Sequence, residues 1–490
     1  MSIIQTTIDD LRNTIVPNVN DTYYVTDLGK EGNWRYDAND LLSVDNTGIT
    51  LVGQGQYRFK RIFDGYVNVK WFGAVGNAWP DNINNCNNDS DAIQLAINTM
   101  LTPIVNGQPN SQNQTISETK GGLFFPAGFY LIDKTIKIKS TSIYIEDLGK
   151  VNIIGAGSKS TFIIGRVPEK FTITAPDQNS IVINVDFPLF EVFNFYTEFK
   201  DLALIGQFID EGHYKIDDGP YTTFFEDHYF NTGIRCVDNA HCEIENVSFR
   251  CLEIGLEIKN SLLHNVNNCF FGVPVGAEDS DIGNDRKYFA CNYGIYFSNL
   301  SPVVGNATLA CNAINIFQCK FTACKIWGIS FADGNLLNIT NCQFEDNGKL
   351  FEISGNPIQP TGAIRLIGYE THVKDINQYH ISGCWFERNY GYHILYNASN
   401  NVILNLTNNF INRGNDTLNL NLFGVLINTN PSVIANDVPV VKKVNLIGNQ
   451  LYSIRPNIHI QHKFFIAASE VNQIGNYFDN SDITTLNIHP

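Results

Sequence analysis

Charge is scarce in this chain. Only 17% of its 490 residues are charged, and 33 Lys and Arg face 49 Asp and Glu, a formal net charge of -16. A surface that acidic repels nucleic acid and anionic lipid, so neither is expected as a partner, while a neutral or weakly charged glycan is not excluded. Long apolar runs are also lacking. None approaches the roughly 18 residues of a membrane span, and no membrane insertion is expected. The opening Met1-Ser-Ile-Ile-Gln-Thr-Thr-Ile-Asp-Asp has neither a basic start nor an apolar stretch, so synthesis and folding in a cytoplasm, without a signal peptide, are expected. The 11 cysteines contain no CxxC pair and no His at zinc-ligand spacing. No disulfide framework, metal or cofactor is expected. The acidic run Asp279-Ser-Asp-Ile-Gly-Asn-Asp285 is oxygen-rich but lacks the bidentate Glu of a calcium loop.

What the chain does have is a repeat under uneven loops. A small residue, any residue, then Phe or Leu recurs as Leu202-Ala-Leu204, Val247-Ser-Phe249, Cys269-Phe-Phe271, Cys319-Lys-Phe321 and Cys342-Gln-Phe344. It continues as Cys384-Trp-Phe386, Asn408-Asn-Phe410, Asn449-Gln-Leu451 and Asn476-Tyr-Phe478, with successive gaps of 45, 22, 50, 23, 42, 24, 41 and 27 residues. Each short unit holds three brief alternating segments parted by Gly, Asn or Asp, as in Trp327-Gly-Ile-Ser-Phe, Leu336-Leu-Asn-Ile-Thr and Asn341-Cys-Gln-Phe. That leaves no room for a helix. Three strands per turn, repeated about every two dozen residues, predict a coil whose turns pair as parallel sheets and whose Phe and Cys stack in internal columns. With two earlier turns around Leu123 and Val151, about eleven coils are expected. The fold class is therefore all-β, a right-handed parallel β-helix. Asp91-Ala-Ile-Gln-Leu-Ala-Ile-Asn reads as an amphipathic helix capping its open end, with Asp89 or Ser90 as N-cap.

Val67-Asn-Val-Lys-Trp-Phe-Gly-Ala-Val-Gly followed by Asp89-Ser-Asp-Ala-Ile-Gln-Leu-Ala-Ile resembles the entry segment of pectate-lyase-like β-helix proteins, bacteriophage tailspikes above all. Upstream, Asp45-Asn-Thr-Gly-Ile-Thr-Leu-Val and Tyr57-Arg-Phe-Lys-Arg resemble the small β module that precedes this entry in many tailspikes, and Gly383-Cys-Trp-Phe-Glu-Arg-Asn is similar to a turn of the same group. The resemblance divides the chain into a virion-attachment module at about 1–65, an entry segment and capping helix at 66–120, and a β-helix at 121–490. It implies a homotrimer on the virion tail, made in the host cytoplasm, held by tail or baseplate proteins through its N-terminus, and acting on a host surface polysaccharide. The usual Gly-Asp-Gly after Trp-Phe-Gly is here Gly76-Asn-Ala, and the acid motifs of polygalacturonases and pectate lyases are missing. Catalytic residues do not carry over from those enzymes.

The long gaps place loops at about 206–231, 272–292, 346–361 and 412–422, all leaving one corner of the coil and stacking into a wall. Tyr221 and Tyr229 in the first loop are candidate sugar contacts, as are Trp385, Arg388, Tyr390 and Tyr392. The residues that follow the anchors form a column of their own: Arg250, Gly272, Thr322, Glu345, Glu387, Ile411, Tyr452 and Asp479. In it Glu345 and Glu387 fall on adjacent turns if the 42-residue gap is one turn with a loop. Two carboxyls about 5 Å apart suit a retaining glycosidase, one as acid and one as nucleophile. The competing reading is a corner role, with Asn347 over Asn389 as a ladder and Asp346 over Arg388 as an ion pair. Glu370 and Asp375 are substitutes for the catalytic pair. The leading reading is a tailspike depolymerase of glycosidase type. A non-enzymatic receptor-binding or structural tail protein and a polysaccharide lyase are the alternatives.

Overall fold

The computed structural model describes residues 2–14, 16–78, 86–101, 104–105, 108–109, 122–139, 150–166, 173–177, 180–183, 187–193, 196–206, 208–209, 228–229, 231–238, 241–272, 290–297, 311–332, 334, 336–348, 361–367, 377–389, 392–397, 402–413, 425–428, 441–453, 464–466 and 470–478. They fall into two units, Met1–Lys170 with Leu189–Leu204, and Phe171–Pro188 with Ile205–Pro490.

The first unit opens with a small mixed sheet. Ile3–Thr6 runs parallel to Thr22–Val25, which continues antiparallel through Gly32–Asp37, Arg58–Ile62 and Thr50–Val52. One face buries Ile8, Leu11, Tyr23, Val25, Trp34, Leu51 and Phe59. The short helix Ile8–Arg12 is capped by Thr7, whose hydroxyl accepts from the Asp10 N–H at 3.1 Å. Arg61 joins this sheet to the entry segment. Its guanidinium lies over the Trp34 ring at 4.6 Å and the Trp71 ring at 4.3 Å, and it donates to the Gly48, Glu31 and Lys30 carbonyls.

The helix expected around 91–98 spans Ser90–Leu101 and buries Ile93, Ala96, Ile97 and Met100 at helical spacing. Its Gln94 side chain exchanges hydrogen bonds with the Lys137 backbone on strand Ile136–Lys139. The Asp89 carboxylate does not turn onto the helix. It accepts from the Val75 and Gly76 N–H groups at 2.7 and 3.1 Å, tying down the turn after Trp71-Phe-Gly, and burial raises its pKa. Beyond the helix, Gly122–Phe125, Lys150–Gly155 and Tyr196–Lys200 pair in parallel, as do Gly128–Ile132 with Thr161–Gly165 and Ile136–Lys139 with Phe187–Phe193.

The second unit repeats that plan. Each coil contributes a strand to a first sheet (Cys242–Glu245, His264–Asn267, Ile314–Phe317, Leu336–Thr340, Asn377–Ser382 and onward). It then contributes one to a second sheet (Ser248–Arg250, Phe270–Gly272, Lys320–Thr322, Gln343–Glu345, Trp385–Glu387) and one to a third (Asn231–Val237, Ile254–Lys259, Tyr293–Phe297, Trp327–Ala332, Gly362–Ile367). All these pairings are parallel. The predicted internal column is present: Phe249, Phe271, Phe321, Phe344 and Phe386 stack with centroids 4.6, 4.8, 4.8 and 5.0 Å apart and planes within 7°. Cys269, Cys319, Cys342 and Cys384 are buried two residues before their Phe, and all eleven cysteines are free thiols.

The Phe rings need a floor without side chains. A column of Gly233, Gly255, Gly294 and Gly328 on the third sheet provides it: a Cβ on Gly294 would lie 2.7 Å from the Phe321 ring and 2.5 Å from the Gly328 oxygen. The turn from first to second sheet is the same in each described coil of the second unit. It is made by a residue of positive φ three places before the column residue, namely Asn246, Asn268, Gln318, Asn341, Gly383, Asn408, Gly448 and Gly475.

Two readings change here. The column residue after Phe386 is Ile411, because Phe386 pairs with Ile411 and Trp385 with Phe410. The small residue of that coil is accordingly Asn409, whose amide extends a buried ladder to Asn449 and Asn476, and Asn412 replaces Ile411 beside Glu387. The four predicted loops do run from the second sheet to the third, but a second set leaves from another corner. Segments 273–289, 349–360 and 414–424 connect the second sheet to the third, while 298–310, 368–376 and 429–440 connect the third back to the first. Among the described residues no helix is long and apolar enough to cross a membrane.

Candidate functional site

Strands Gln343–Glu345 and Trp385–Glu387 present alternate residues to the outside of the second sheet, because Phe344 and Phe386 between them point into the core. Glu345 and Glu387 are directly paired on adjacent coils, so the 42-residue gap is one turn with insertions. Arg388 lies with both. Its Nη1 donates to Glu387 Oε1 at 2.8 Å, its Nη2 bonds Glu345 Oε1, and its Nε donates to Asp346 Oδ1 at 3.1 Å. The carboxylates, Asp346 foremost, push the Arg388 pKa further up. Three carboxylates share one guanidinium, so the two Glu are not an isolated like-charged pair. The ladder is present too: Asn347 Nδ2 donates to Asn389 Oδ1 at 2.8 Å, and Asn389 Nδ2 to the Phe344 carbonyl at 3.0 Å.

Beside the acids stands an aromatic platform. Trp385 is 42% exposed, stacks on Phe410 with centroids 4.0 Å apart, and donates its Nε1–H to Glu387 Oε2 at 3.0 Å. A flat apolar face bordered by hydrogen-bonding carboxylates and a guanidinium matches a sugar ring, whose C–H face is apolar and whose edge is hydroxyl. Of the predicted site residues, Glu345, Glu387, Arg388 and Trp385 are thus brought together. Tyr392 begins a strand of the third sheet, beside Gly362, and is half-buried, which raises its pKa. Tyr229 lies on the short strand His228–Tyr229, antiparallel to Phe208–Ile209. Tyr221, Glu370, Asp375, Tyr390 and the Asp279–Asp285 run lie outside the described residues.

A second polar strip escaped the sequence reading. Arg235, Glu257, Tyr296, Ser330 and Arg365 are in register on the third sheet, with Arg235 Nε donating to Glu257 Oε2 at 2.6 Å. At the edge of this strip burial raises the Glu253 pKa to about 7, against the bond it accepts from Asn292 Nδ2 at 2.5 Å and the pull of Lys325. Alternation of Arg235 and Glu257 with apolar neighbours was the available signal.

Comparison with known proteins bears on this architecture. Residues 5–64 match a family described as the phage tail protein small four-stranded beta-sheet domain. The tailspike of Acinetobacter phage vb_AbaP_AS12 aligns with TM-score 0.54 at 11% identity over 98% of this chain and 73% of its own. The fold is that of phage tailspikes. The tailspike of Acinetobacter phage vB_ApiP_P1 aligns with TM-score 0.50 at 13% identity, over 99% of this chain and 71% of its own. The enzymatically active domain of tailspike protein 2 of bacteriophage CBA120 aligns with TM-score 0.50 at 11% identity over 97% of this chain, which spans 56% of that domain's length. No curated protein matches the sequence.

Proposed function

We propose that this chain is a tail protein that binds a host surface polysaccharide along the exposed face of its second sheet, with its N-terminal sheet attaching it to the virion and three copies forming the functional unit. The observation that carries the reading is the exposed Trp385–Phe410 stack joined through the indole N–H to the Glu387–Arg388–Glu345 cluster. Aromatic anchors of this kind carry a large part of binding energy, so Trp385→Ala should weaken glycan binding at least roughly tenfold. Glycan arrays followed by calorimetry on the purified protein provide the test, and Tyr229→Ala should leave affinity closer to that of the unaltered protein. Undiminished binding by the Trp385 variant would remove the platform from the proposal.

Depolymerisation is the second reading, favoured by the in-register Glu345 and Glu387 at parallel-strand spacing, ~4.8 Å. In it, one carboxyl protonates the glycosidic oxygen and the other attacks or activates water, while Arg388 holds both in place. Chain shortening of host polysaccharide that disappears in Glu387→Gln supports hydrolysis. Bound but intact glycan supports the adhesin, and unsaturated products identify a lyase.

A further inference from the structure

Inside the β-helix, where strands Asn231–Val237, Cys242–Glu245 and His264–Asn267 of neighbouring coils meet, three side chains with metal-binding atoms converge. Cys236, Cys242 and His264 are all 0% exposed, and one ligand atom from each lies within 4.8 Å of the others. They come from two sheets. Cys242 and His264 are directly paired on adjacent strands of the first, and Cys236 sits on the third. Spacing along the chain concealed them, because the intervening residues form the wall of the coil.

His264 is the odd member. A fully buried imidazole normally gives and accepts a hydrogen bond, since leaving a buried polar atom unsatisfied forfeits its solvation without return. Neither His264 nitrogen has a hydrogen-bond partner among the described residues. The other inward positions of these strands, Ile234, Ile244 and Val266, are aliphatic, as the core of a coil requires. A histidine there, facing two thiols, is costly unless something occupies the space among them.

We propose that Cys236, Cys242 and His264 supply three of the four ligands of a structural zinc(II) ion within the β-helix core. Zinc bonds sulfur at about 2.3 Å and imidazole nitrogen at about 2.0–2.1 Å, so ligand atoms around it lie about 4 Å apart or less; side-chain rotation of about an ångström closes the present arrangement. On binding, each thiol loses its proton to solvent and its sulfur lone pair forms the Zn–S bond, while His264 stays neutral and donates a nitrogen lone pair. Two thiolates and one dication make a centre of zero net charge, the form least costly to bury. Zinc takes imidazole in its neutral form, which a fully buried histidine favours over the charged one. Enclosed by strands, the ion enters during folding.

The test uses the full chain refolded in parallel with zinc(II) and with a chelator, then freed of loose metal. One zinc per chain by elemental analysis is expected. X-ray absorption at the zinc edge should read two sulfurs and one nitrogen among the ligands, and the zinc-refolded protein should melt higher than the chelator-refolded one. Cys242→Ala and, separately, His264→Val (an aliphatic that suits the core without zinc) should each lose the ion. Should either variant fail to fold, the absorption spectrum of the unaltered protein decides. Refolded protein without zinc, zinc retained in the His264→Val protein, a zinc shell of oxygen and nitrogen only, or a Cys236–Cys242 disulfide in the native protein would each overturn the proposal.

Discussion

Phe321→Ala tests the internal column at its middle. Phe321 is fully buried, stacked between Phe271 and Phe344 at 4.8 Å on each side, and its ring rests against the Gly294 backbone. Truncating a buried Phe costs about 3–5 kcal/mol when the site collapses poorly. Here the floor is backbone held by pairing on both sides within the third sheet and cannot move inward, and two aromatic contacts worth about 0.5–1.5 kcal/mol each are lost. The upper part of that range is expected. In a stack of repeats the loss is felt by nearest neighbours, so the coils carrying Phe271, Phe321 and Phe344 should open more often by roughly 10²- to 10⁴-fold, and the N-terminal sheet should be unaffected. Native-state hydrogen exchange read strand by strand measures this. Acceleration below tenfold, or acceleration spread evenly over the whole chain, would refute the continuous stack.

Three further outcomes are expected. Gly294→Ala should destabilise by about 1–3 kcal/mol in chemical denaturation, because its Cβ meets the Gly328 oxygen at 2.5 Å; a gain in stability would contradict the glycine floor. Arg61→Met should loosen the N-terminal sheet by about 2–4 kcal/mol, from two cation–π contacts and three carbonyl bonds, visible as faster proteolysis between residues 61 and 71. Glu253 has its folded pKa raised from 4.5 to about 7, so the folded state binds the extra proton and stability falls as pH rises through that interval. Glu253→Gln should flatten that slope, read as melting temperature at several pH values.

The fold was legible because the coil writes one spacing rule into many places. Phe249, Phe271, Phe321, Phe344 and Phe386 sit where their recurrence put them, and so do the paired Glu345 and Glu387. The rule failed where local chemistry allows two registers. Asn408-Asn409-Phe410-Ile411 offers two small polar and two apolar residues in a row, and a shift of one swaps inside for outside. Ladder geometry decides it: Asn409 bonds inward to the Ile381 carbonyl, leaving Asn408 in the positive-φ turn. The second set of loops went unseen because a gap length sums the insertions of both corners. The cluster at Cys236, Cys242 and His264 and the shifted Glu253 depend on which strands face each other across the coil, and no spacing along one strand records that.

Of the three bends in each described coil of the second unit, one keeps a single short length. A left-handed residue, then a single small buried residue, then the next strand leave no slack, whereas the other two bends absorb segments of any size without disturbing the rings inside. Length variation among relatives therefore has two outlets and one closed edge. New recognition surface can be acquired or discarded there a loop at a time, while the part that folds goes on being the same object.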